Sequence, residues 1–198
     1  MSEKSTFNIS YTPLPHGASG TEITFLQGTP DLTEVFNLSD KNERRLFVTD
    51  TNIASLECME SFIKCFDVKD ASKPACYSKE QNLLLIVKSG EENKNIETVL
   101  EIVKAALSAS FSRKDIFTGI GGGVITDMTA FAASIYKRGA RAEFVPTSLL
   151  AMVDAAVGGK TGCDFDQYKN MIGAFFPAEK LFVFPQFVQS LPEISVLF

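Results

Sequence analysis

A glycine triplet in the middle of the chain, Gly121, Gly122 and Gly123, is the first feature suited to chemistry. Glycine has no Cβ and adopts positive φ at no steric cost, so the backbone can approach a ligand closely there. The N-terminal amides of a following helix would favour a pyrophosphate, and Asp127 on its first turns would reach a ribose hydroxyl or a ligand alcohol. Without the full G-x-G-x-x-G pattern the signal is weak. The alternative is a tight turn in which Asp127 favours only the helix dipole.

A second candidate site spans residues 145–162, VPTSLLAMVDAAVGGKTG, and continues at 168–176 with YKNMIGAFF. It places four polar side chains around a glycine pair: Asp154, Lys160, Lys169 and Asn170. Lysines bind phosphate oxygens as point charges, and Asp and Asn side chains hydrogen-bond hydroxyl groups. The set therefore suits a phosphorylated polyol. From composition alone, the alternative is a solvated loop with a few surface charges.

The apolar pattern around these sites predicts alternating strands and helices. Strands are predicted at 21–26, 46–49, 83–87, 115–120, 142–145, 172–176 and 181–184. Helices are predicted around 32–38, from Asn52 onward, at 95–110, after the glycine triplet and at 149–157. Consecutive apolar positions at 83–87 are typical of a strand covered on both faces, which indicates a parallel sheet with helices on both sides. We predict an α/β domain over residues 21–198 with a Rossmann-like sheet and the ligand at the carboxyl ends of its strands.

Local patterns add detail to two of the predicted helices and to one segment between predicted elements. The helix at 95–110 is the clearest, because one apolar stripe collects Ile96, Val99, Leu100, Val103 and Leu107. The helix after the second predicted strand would be capped by Asn52 and would turn inward Ile53, Leu56, Met59 and Ile63. Residues 160–168 show no periodicity, which predicts a mobile loop.

The composition limits the classes of function. With 45% hydrophobic and 22% charged residues, the chain is not intrinsically disordered over most of its length. A net charge of −5 without a basic run gives no electrostatic footprint for nucleic acid, although a few lysines can still hold an anionic small molecule. No apolar stretch reaches the length of a signal peptide or a membrane span, so we expect no membrane partner and a cytoplasmic location.

The cysteines and the N-terminus give two further expectations. Cys58, Cys65, Cys76 and Cys163 form no C-x-x-C pair, and His16 is the one histidine of the chain, so reduced thiols are predicted rather than disulfides or a zinc site. Proline and glycine among polar residues predict a flexible segment over residues 1–20.

The two candidate sites resemble the dehydroquinate synthases, members of the sugar phosphate cyclase group. The family pattern reads close to G-G-G-V-I-G-D, Y-x-R-G, V-P-T-T-L-L-A-x-V-D-x-x-V-G-G-K-T-G and K-N-x-I-G-A-F. This chain has GGGVITD at 121–127, YKRG at 136–139 and the two segments quoted above, in the same order. With VTDTN at 48–52 and GEENK at 90–94, the resemblance covers most of residues 45–192.

The resemblance implies a lyase that converts 3-deoxy-arabino-heptulosonate 7-phosphate into 3-dehydroquinate in the second step of the shikimate pathway, which leads to chorismate and aromatic amino acids. NAD would take a hydride from a ring hydroxyl, the ketone so formed would acidify the neighbouring carbon so that phosphate can leave, and the hydride would return. Ring opening and an intramolecular aldol step would close the carbocycle. The resemblance also implies a homodimer and a divalent metal, zinc or cobalt.

The resemblance implies roles for individual residues. NAD contacts fall on Asp50, Asn52, Glu91, Lys94, Gly121, Gly122, Gly123, Asp127, Thr147, Ser148, Leu150, Phe187 and Ser190. Substrate contacts fall on Asp154, Lys160, Lys169 and Asn170, while Arg138 would reach the phosphate held by the neighbouring subunit.

The chain departs from the family pattern in several places. Thr126 stands where glycine is usual, Ser148 stands where threonine is usual, and CDFDQY at 163–168 replaces an N-H-P-x-G stretch. After SLPE the family continues with a metal-binding glutamate and a helical domain that carries two metal-binding histidines. This chain ends at Phe198 with His16 as its one histidine, so no metal ligands are predicted in it.

We therefore expect the 198-residue chain to be inactive or nearly so by itself. A domain separated from its partner should expose apolar surface, and the predicted patch consists of Phe182, Phe184, Phe187 and Phe198. Two alternatives stay open: another sugar phosphate cyclase, such as an amino-dehydroquinate or inosose synthase, and an NAD-binding or dimerisation module without turnover. Metal-dependent glycerol-type dehydrogenases share the fold and a glycine triplet but lack the VDAAVGGKTG context.

Overall fold

A computed structural model of the chain describes residues 4–10 and 20–190. Within these residues, eight strands form one sheet and two form a separate hairpin. The strands are β1 (Lys4–Ser10), β2 (Gly20–Leu26), β3 (Arg45–Asp50), β4 (Ala75–Lys79), β5 (Asn82–Val87), β6 (Ile116–Gly121), β7 (Arg141–Pro146), β8 (Lys160–Phe165), β9 (Tyr168–Phe175) and β10 (Lys180–Val183).

The main sheet has the order β1-β2-β10-β7-β6-β3-β5-β4. Its six central strands are parallel to their neighbours, and antiparallel hairpins, β1–β2 and β4–β5, close both edges. The chain runs outward from β3 to β5, returns to β6 on the other side of β3, and then proceeds outward through β7. The direction of winding therefore reverses between β3 and β6, and the carboxyl ends of these two strands mark the crevice where such sheets bind ligands.

Helices cover both faces of the sheet, as the sequence predicted. They are α1 (Leu32–Val35), α2 (Thr51–Ala54), α3 (Glu60–Lys64), α4 (Ile96–Ser108) and α5 (Gly123–Ile135). Single turns of 3-10 helix lie at Glu57–Met59, Glu91–Asn93 and Tyr136–Arg138, a longer one at Pro185–Ser190, and a π-helical turn at Ala151–Ala155. On β5, Leu85 and Val87 pack with α4 and α5, whereas Leu84 and Ile86 pack with α1 and α3. This two-sided burial is why residues 83–87 are apolar at every position.

The sequence prediction for the buried face of α4 was partly wrong. Thr98, Val99, Ile102 and Ala106 are the buried residues of this helix, while Leu100 and Leu107 are exposed. The stripe is therefore rotated toward Ile102 and Ala106, because α4 packs against both β5 and α5 and a small alanine allows close approach there.

The segment after β3 also differs from the predicted single helix. It is broken into α2, a 3-10 turn and α3, and the cap of α2 is Asp50 rather than Asn52. The Asp50 carboxylate accepts hydrogen bonds from the backbone N–H groups of Asn52 at 2.8 Å and Ile53 at 2.9 Å. An aspartate one residue before the first helical position satisfies these otherwise unpaired donors.

Two predicted loops are strands in the structure. Residues 160–165, expected to be mobile, form β8 and pair antiparallel with β9. Residues 4–10, expected to be flexible, form β1 and pair with β2. Both strands find their hydrogen-bond partners in a neighbouring strand, a contact that the local sequence pattern does not report. Residues 11–19, which hold the prolines of that segment, lie outside the described residues.

The predicted phenylalanine patch is wrong in its described part. Phe184 and Phe187 are buried, with relative exposures of 4% and 1%, and Phe182 is half-buried. Phe198 lies outside the described residues. Large exposed apolar side chains are instead concentrated on the π-helical turn, the residues just before it and the β8–β9 hairpin: Leu149, Leu150, Val153, Phe165, Tyr168, Met171 and Phe175.

All four cysteines are free in the structure. In the part of the chain that the structure describes, no helix is both long enough and apolar enough to cross a membrane.

Candidate active site

A cleft of about 760 Å³ lies beside the N-terminus of α5, at the carboxyl ends of the parallel strands. The structure brings nine predicted site residues together on its walls: Glu91, Lys94, Gly123, Asp127, Leu150, Asp154, Lys160, Lys169 and Asn170. They come from the turn after β5, from α5, from the segment after β7 and from the β8–β9 hairpin. Since these segments are far apart in sequence, only the fold makes one site of them.

Lys94 is the central cation of the cleft. Its buried Nζ donates to Oδ2 of Asp127 at 2.6 Å and to Oδ1 of Asn170 at 2.7 Å. Burial raises the pKa of Asp127 above its usual value, the hydrogen bond and charge of Lys94 lower it, and the negative charges of Glu91 and Asp154 raise it further. The net direction is upward, and within the cleft Lys94 is the group that opposes this rise in the pKa of Asp127.

A second ion pair lies at the rim. Lys169 Nζ lies 3.0 Å from Oε1 of Glu91, and both side chains are exposed. The hydrogen bond and charge of Glu91 raise the pKa of Lys169. Asp154 and Lys160 are exposed and also line the cleft. The cleft thus offers three ammonium groups and three carboxylates to a ligand, a combination suited to a molecule with both phosphate and hydroxyl groups.

The glycine triplet differs from the sequence interpretation in one respect. Positive φ is recorded for Gly28, Gly90, Gly139 and Gly159, and none of the triplet is among them. Gly122 is the N-cap of α5, with φ −73°, and no side chain caps the helix. The first N–H groups of α5 therefore have no partner within the helix. They are accessible to an anion because Gly122 and Gly123 have no Cβ atoms, and not because the backbone adopts a positive φ.

Gly121 is required for packing. A Cβ at this position would lie 2.6 Å from Cβ of Ile125 and 2.7 Å from its Cγ1, close to the rigid start of a branched side chain. We expect Gly121→Ala to lower the free energy of unfolding by about 1–3 kcal/mol, the range for overpacking. Urea unfolding measures it, with Gly123→Ala as control because that Cβ would meet Ala155 at an ordinary 3.6 Å. Equal stability of the two variants would contradict the assignment.

Four other predicted cofactor residues lie at strand ends close to the triplet. Asp50 is the last residue of β3 and caps α2, in which Asn52 is exposed. Burial raises the pKa of Asp50, although the two N–H groups that it accepts lower it. Thr147 is buried after β7 and donates its N–H to the carbonyl of Gly121. The hydroxyl of Ser148 accepts from the Ala151 N–H and lies over Gly122.

Two predicted residues, Phe187 and Arg138, are not brought to the cleft. Phe187 is buried in the hydrophobic core below β10. Arg138 is exposed in the 3-10 turn after α5, at the opposite end of this helix from Gly122. A helix of 13 residues is about 20 Å long, so Arg138 does not face the cleft of its own chain. The side chain of Ser190 lies outside the described part of the structure.

Sequence reasoning missed the apolar and small residues that complete the cleft. They are Val124, Ala155, Gly158, Thr161, Met171, Gly173, Ala174 and Phe175. Most belong to the β8–β9 hairpin, half of which was interpreted as a loop. Asp166 and Gln167, both with positive φ, make the tight turn between these strands, and a turn flanked by Phe165 and Tyr168 was the signal that could have revealed the hairpin.

A metal site would need a cluster of ligating side chains. Among residues 4–10 and 20–190, no group of three or more His, Cys, Asp or Glu side chains could hold a metal ion. The described residues therefore do not fit the metal that the resemblance implies.

The fold and the cleft define an α/β domain of the Rossmann-like class, with an anion-accessible helix N-terminus and a polar cleft at the point where the sheet reverses its winding. Comparison with known proteins narrows this class. A sequence model described as "3-dehydroquinate synthase N-terminal" matches residues 84–197. The chain belongs to this family.

Individual relatives support this family assignment. A 3-dehydroquinate synthase of Acidithiobacillus ferrooxidans is 41% identical over 148 residues, which are 74% of this chain and 37% of that protein. The solved structure of 2-epi-5-epi-valiolone synthase from Streptomyces hygroscopicus, with NAD+ and Zn2+ bound, is 28% identical, covers 94% of this chain and has a TM-score of 0.70. A 2-deoxy-scyllo-inosose synthase complexed with carbaglucose-6-phosphate, NAD+ and Co2+ is 20% identical, covers 96% of the chain and has a TM-score of 0.72.

These comparisons confirm the predicted α/β fold and the family that the motifs indicated. The chain spans 37% of the length of the Acidithiobacillus relative, 48% of the valiolone synthase chain and 49% of the inosose synthase chain.

Proposed function

We propose that the chain forms the NAD-binding part of a 3-dehydroquinate synthase, which converts 3-deoxy-arabino-heptulosonate 7-phosphate into 3-dehydroquinate and phosphate. One observation carries the proposal: Lys94, Asp127 and Asn170, from three separate segments, are joined by hydrogen bonds beside an uncapped helix N-terminus. A pyrophosphate fits that helix terminus. The carboxylate and carboxamide next to it suit the hydroxyls of a ribose and of a sugar-derived substrate.

The proposed roles follow the chemistry of each side chain. The chemistry that NAD+ supplies when bound is reversible acceptance of a hydride. Asp127 binds a ribose hydroxyl, and Lys94 pairs with its carboxylate at 2.6 Å. Lys160 and Lys169 hold phosphate oxygens, while Asp154 and Asn170 bind substrate hydroxyls. The proposed NAD-binding domain extends over residues 21–198, and free cysteines support a cytoplasmic location.

We further propose that Arg138 acts across a homodimer. Lys137, Arg138 and Gly139 have φ values of 47°, 66° and 116°, and left-handed backbone costs a non-glycine residue about 1–2 kcal/mol. Hydrogen bonds fix this turn: Lys137 Nζ donates to the Phe111 carbonyl at 2.6 Å, and Gly139 N donates to the Tyr136 carbonyl at 2.9 Å. An exposed arginine on a strained, well-held turn is typical of a functional residue, and its distance from its own cleft favours a neighbouring subunit.

A second cyclase activity has weaker support. The relative with 41% identity carries the name 3-dehydroquinate synthase, whereas the valiolone synthase is 28% identical. The inosose synthase, at 20% identity, supports the fold alone.

Calorimetric titration of NAD+ into the purified chain tests the proposal, followed by titration of the heptulosonate phosphate into the NAD+-saturated chain. We expect one NAD+ site, and heptulosonate binding that Lys160→Met weakens about tenfold through loss of a charged phosphate contact. Lys104→Met, on the exposed face of α4, is the matched control. A chain that does not bind NAD+, or equal heptulosonate affinity of the two variants, would count against the proposal. Phosphate release with added Zn2+ or Co2+ tests the expectation that these 198 residues are inactive alone.

A further inference from the structure

The β8–β9 hairpin contains a bulge at the residues that line the cleft. Cys163 pairs with Ile172 and Phe165 pairs with Tyr168. One residue of β8, Asp164, therefore stands opposite three residues of β9, residues 169–171. Bulges of this kind turn side chains out of the regular alternation and are common beside functional sites.

The bulge interrupts the backbone hydrogen bonds between β8 and β9, and the Asp164 side chain provides a replacement. Its Oδ1 accepts the backbone N–H of Asn170 at 2.7 Å, and Asn170 has a left-handed φ of 52°. A hydrogen bond from an N–H to a carboxylate is stronger than the amide–carbonyl bond that it replaces. The Asp164 carboxylate thus holds Asn170 in a conformation that asparagine adopts only at some cost.

The same aspartate is bound to the cleft through its backbone. Its N–H donates to the carbonyl of Lys94 at 2.8 Å, and a bridge pairs Asp164 with Asn95. Oδ1 of Asn170 in turn accepts a hydrogen bond from Lys94 Nζ at 2.7 Å. Lys94, Asp164 and Asn170 therefore form a closed ring of three hydrogen bonds, and Lys94 extends it to Asp127. Closed networks of this kind orient their members more strictly than single bonds do.

We propose that Asp164 is a positioning residue: by fixing the bulge, it holds the Asn170 carboxamide against the Lys94 ammonium, and so sets the geometry of the Lys94–Asp127 pair toward the ligand. The ring itself is a property of the described structure, and only the identity of the ligand, NAD+, rests on the proposed function.

The test compares Asp164→Ala, Asp164→Asn and the charge control Asp166→Asn, which lies in the turn of the same hairpin. Amide hydrogen exchange of Asn170 is measured without ligand, and NAD+ affinity is measured by calorimetry. We expect Asp164→Ala to accelerate exchange and weaken NAD+ binding, each about tenfold, since it removes a charged hydrogen bond. Asp164→Asn retains an acceptor oxygen and stays within about threefold of wild type in both measurements. Asp166→Asn should match wild type. Asp164→Val, a strong strand former, replaces the alanine variant if that one does not fold.

A double variant separates positioning from general stability. Asn170→Gly keeps the left-handed backbone and its N–H but removes the carboxamide. If Asp164 acts through Asn170, Asp164→Ala weakens NAD+ binding no further in the Asn170→Gly background. Additive losses in affinity, unchanged exchange in Asp164→Ala, or faster exchange with unchanged affinity would each overturn the proposal. A wild-type chain that does not bind NAD+ would refute the proposed function, while the exchange measurement would still decide whether Asp164 holds the bulge.

Discussion

Replacement of Gly123 by valine is expected to reduce NAD+ affinity about 100-fold while the chain stays folded. Gly123 is the first residue of α5 and lines the cleft. A Cβ there would touch only Ala155, at 3.6 Å, so the fold has room for it. The two methyl groups of valine are expected to obstruct the N–H groups that we propose bind the pyrophosphate, and loss of two or more such charged hydrogen bonds corresponds to about 3 kcal/mol.

The measurement is calorimetric titration of NAD+ into wild type, Gly123→Ala and Gly123→Val, with urea unfolding of the same samples. Alanine should weaken binding only slightly, because its single methyl group fills less of the space before the helix. The expected order of affinity is therefore wild type, alanine, valine, with similar unfolding midpoints. If valine bound NAD+ as wild type does, the helix terminus would not be the pyrophosphate site.

Replacement of Lys94 by methionine is expected to lower the free energy of unfolding by about 3–5 kcal/mol at pH 8, the range for breaking a buried ion pair. The two side chains of the pair are 7% and 16% exposed, so water compensates little for the lost cation. Methionine is similar in length and fills the same space, which separates the loss of charge from a cavity. An ionised Asp127 would then lack its cation in a cleft that also contains Glu91 and Asp154, whose charges already raise its pKa.

The loss of stability in Lys94→Met should depend on pH with a definite sign. Burial holds the folded-state pKa of Asp127 above its unfolded value, and loss of Lys94 raises it further. A buried, ionised Asp127 lowers the free energy of unfolding at pH values above its folded-state pKa. This destabilisation is lost as the pH falls through that pKa, because the folded chain then takes up a proton. The difference in stability between wild type and Lys94→Met should therefore shrink as pH falls from 8 toward 5.

Two further variants complete this experiment. Adding Asp127→Asn to Lys94→Met should recover much of the lost stability at pH 8, because the unpaired charge is gone. Lys104→Met removes an exposed lysine from the neighbouring helix α4 and should change stability by less than about 0.5 kcal/mol. A stability loss in Lys94→Met that is independent of pH, or that Asp127→Asn leaves unchanged, would show that the Lys94–Asp127 pair is not its cause.

Much of the fold could be predicted from local pattern because the sheet is parallel and covered on both sides. Residues 83–87 are apolar at successive positions since Leu84 and Leu85 face different hydrophobic clusters. The strand, glycine turn and helix of β6 and α5 are a contiguous unit, and their order is visible in sequence. The antiparallel edge strand β4 was not predicted, because only one neighbour, β5, pairs with it and its residues are mostly exposed.

The cleft was predictable as a list of residue types but not as a geometry. Lys160, Lys169 and Asn170 were assigned by resemblance, yet the segment 160–168 was interpreted as a mobile loop. Its strand pairing depends on β9, whose bulge and turn have no periodic signal. Lys94 is buried by contacts with Asn170, 76 positions away in the chain, and no local pattern reports such a contact.

The class of fold, the family and the residue types at the cleft follow from the sequence, because motifs and apolar periodicity are encoded over short stretches. Three features emerge only when the layers pack. They are the buried face of α4, the absence of positive φ from the glycine triplet, and the ring that Asp164 closes with Lys94 and Asn170. The physical reason is the same in each case: these outcomes depend on contacts between segments distant in sequence, whose energies are set when the layers pack together.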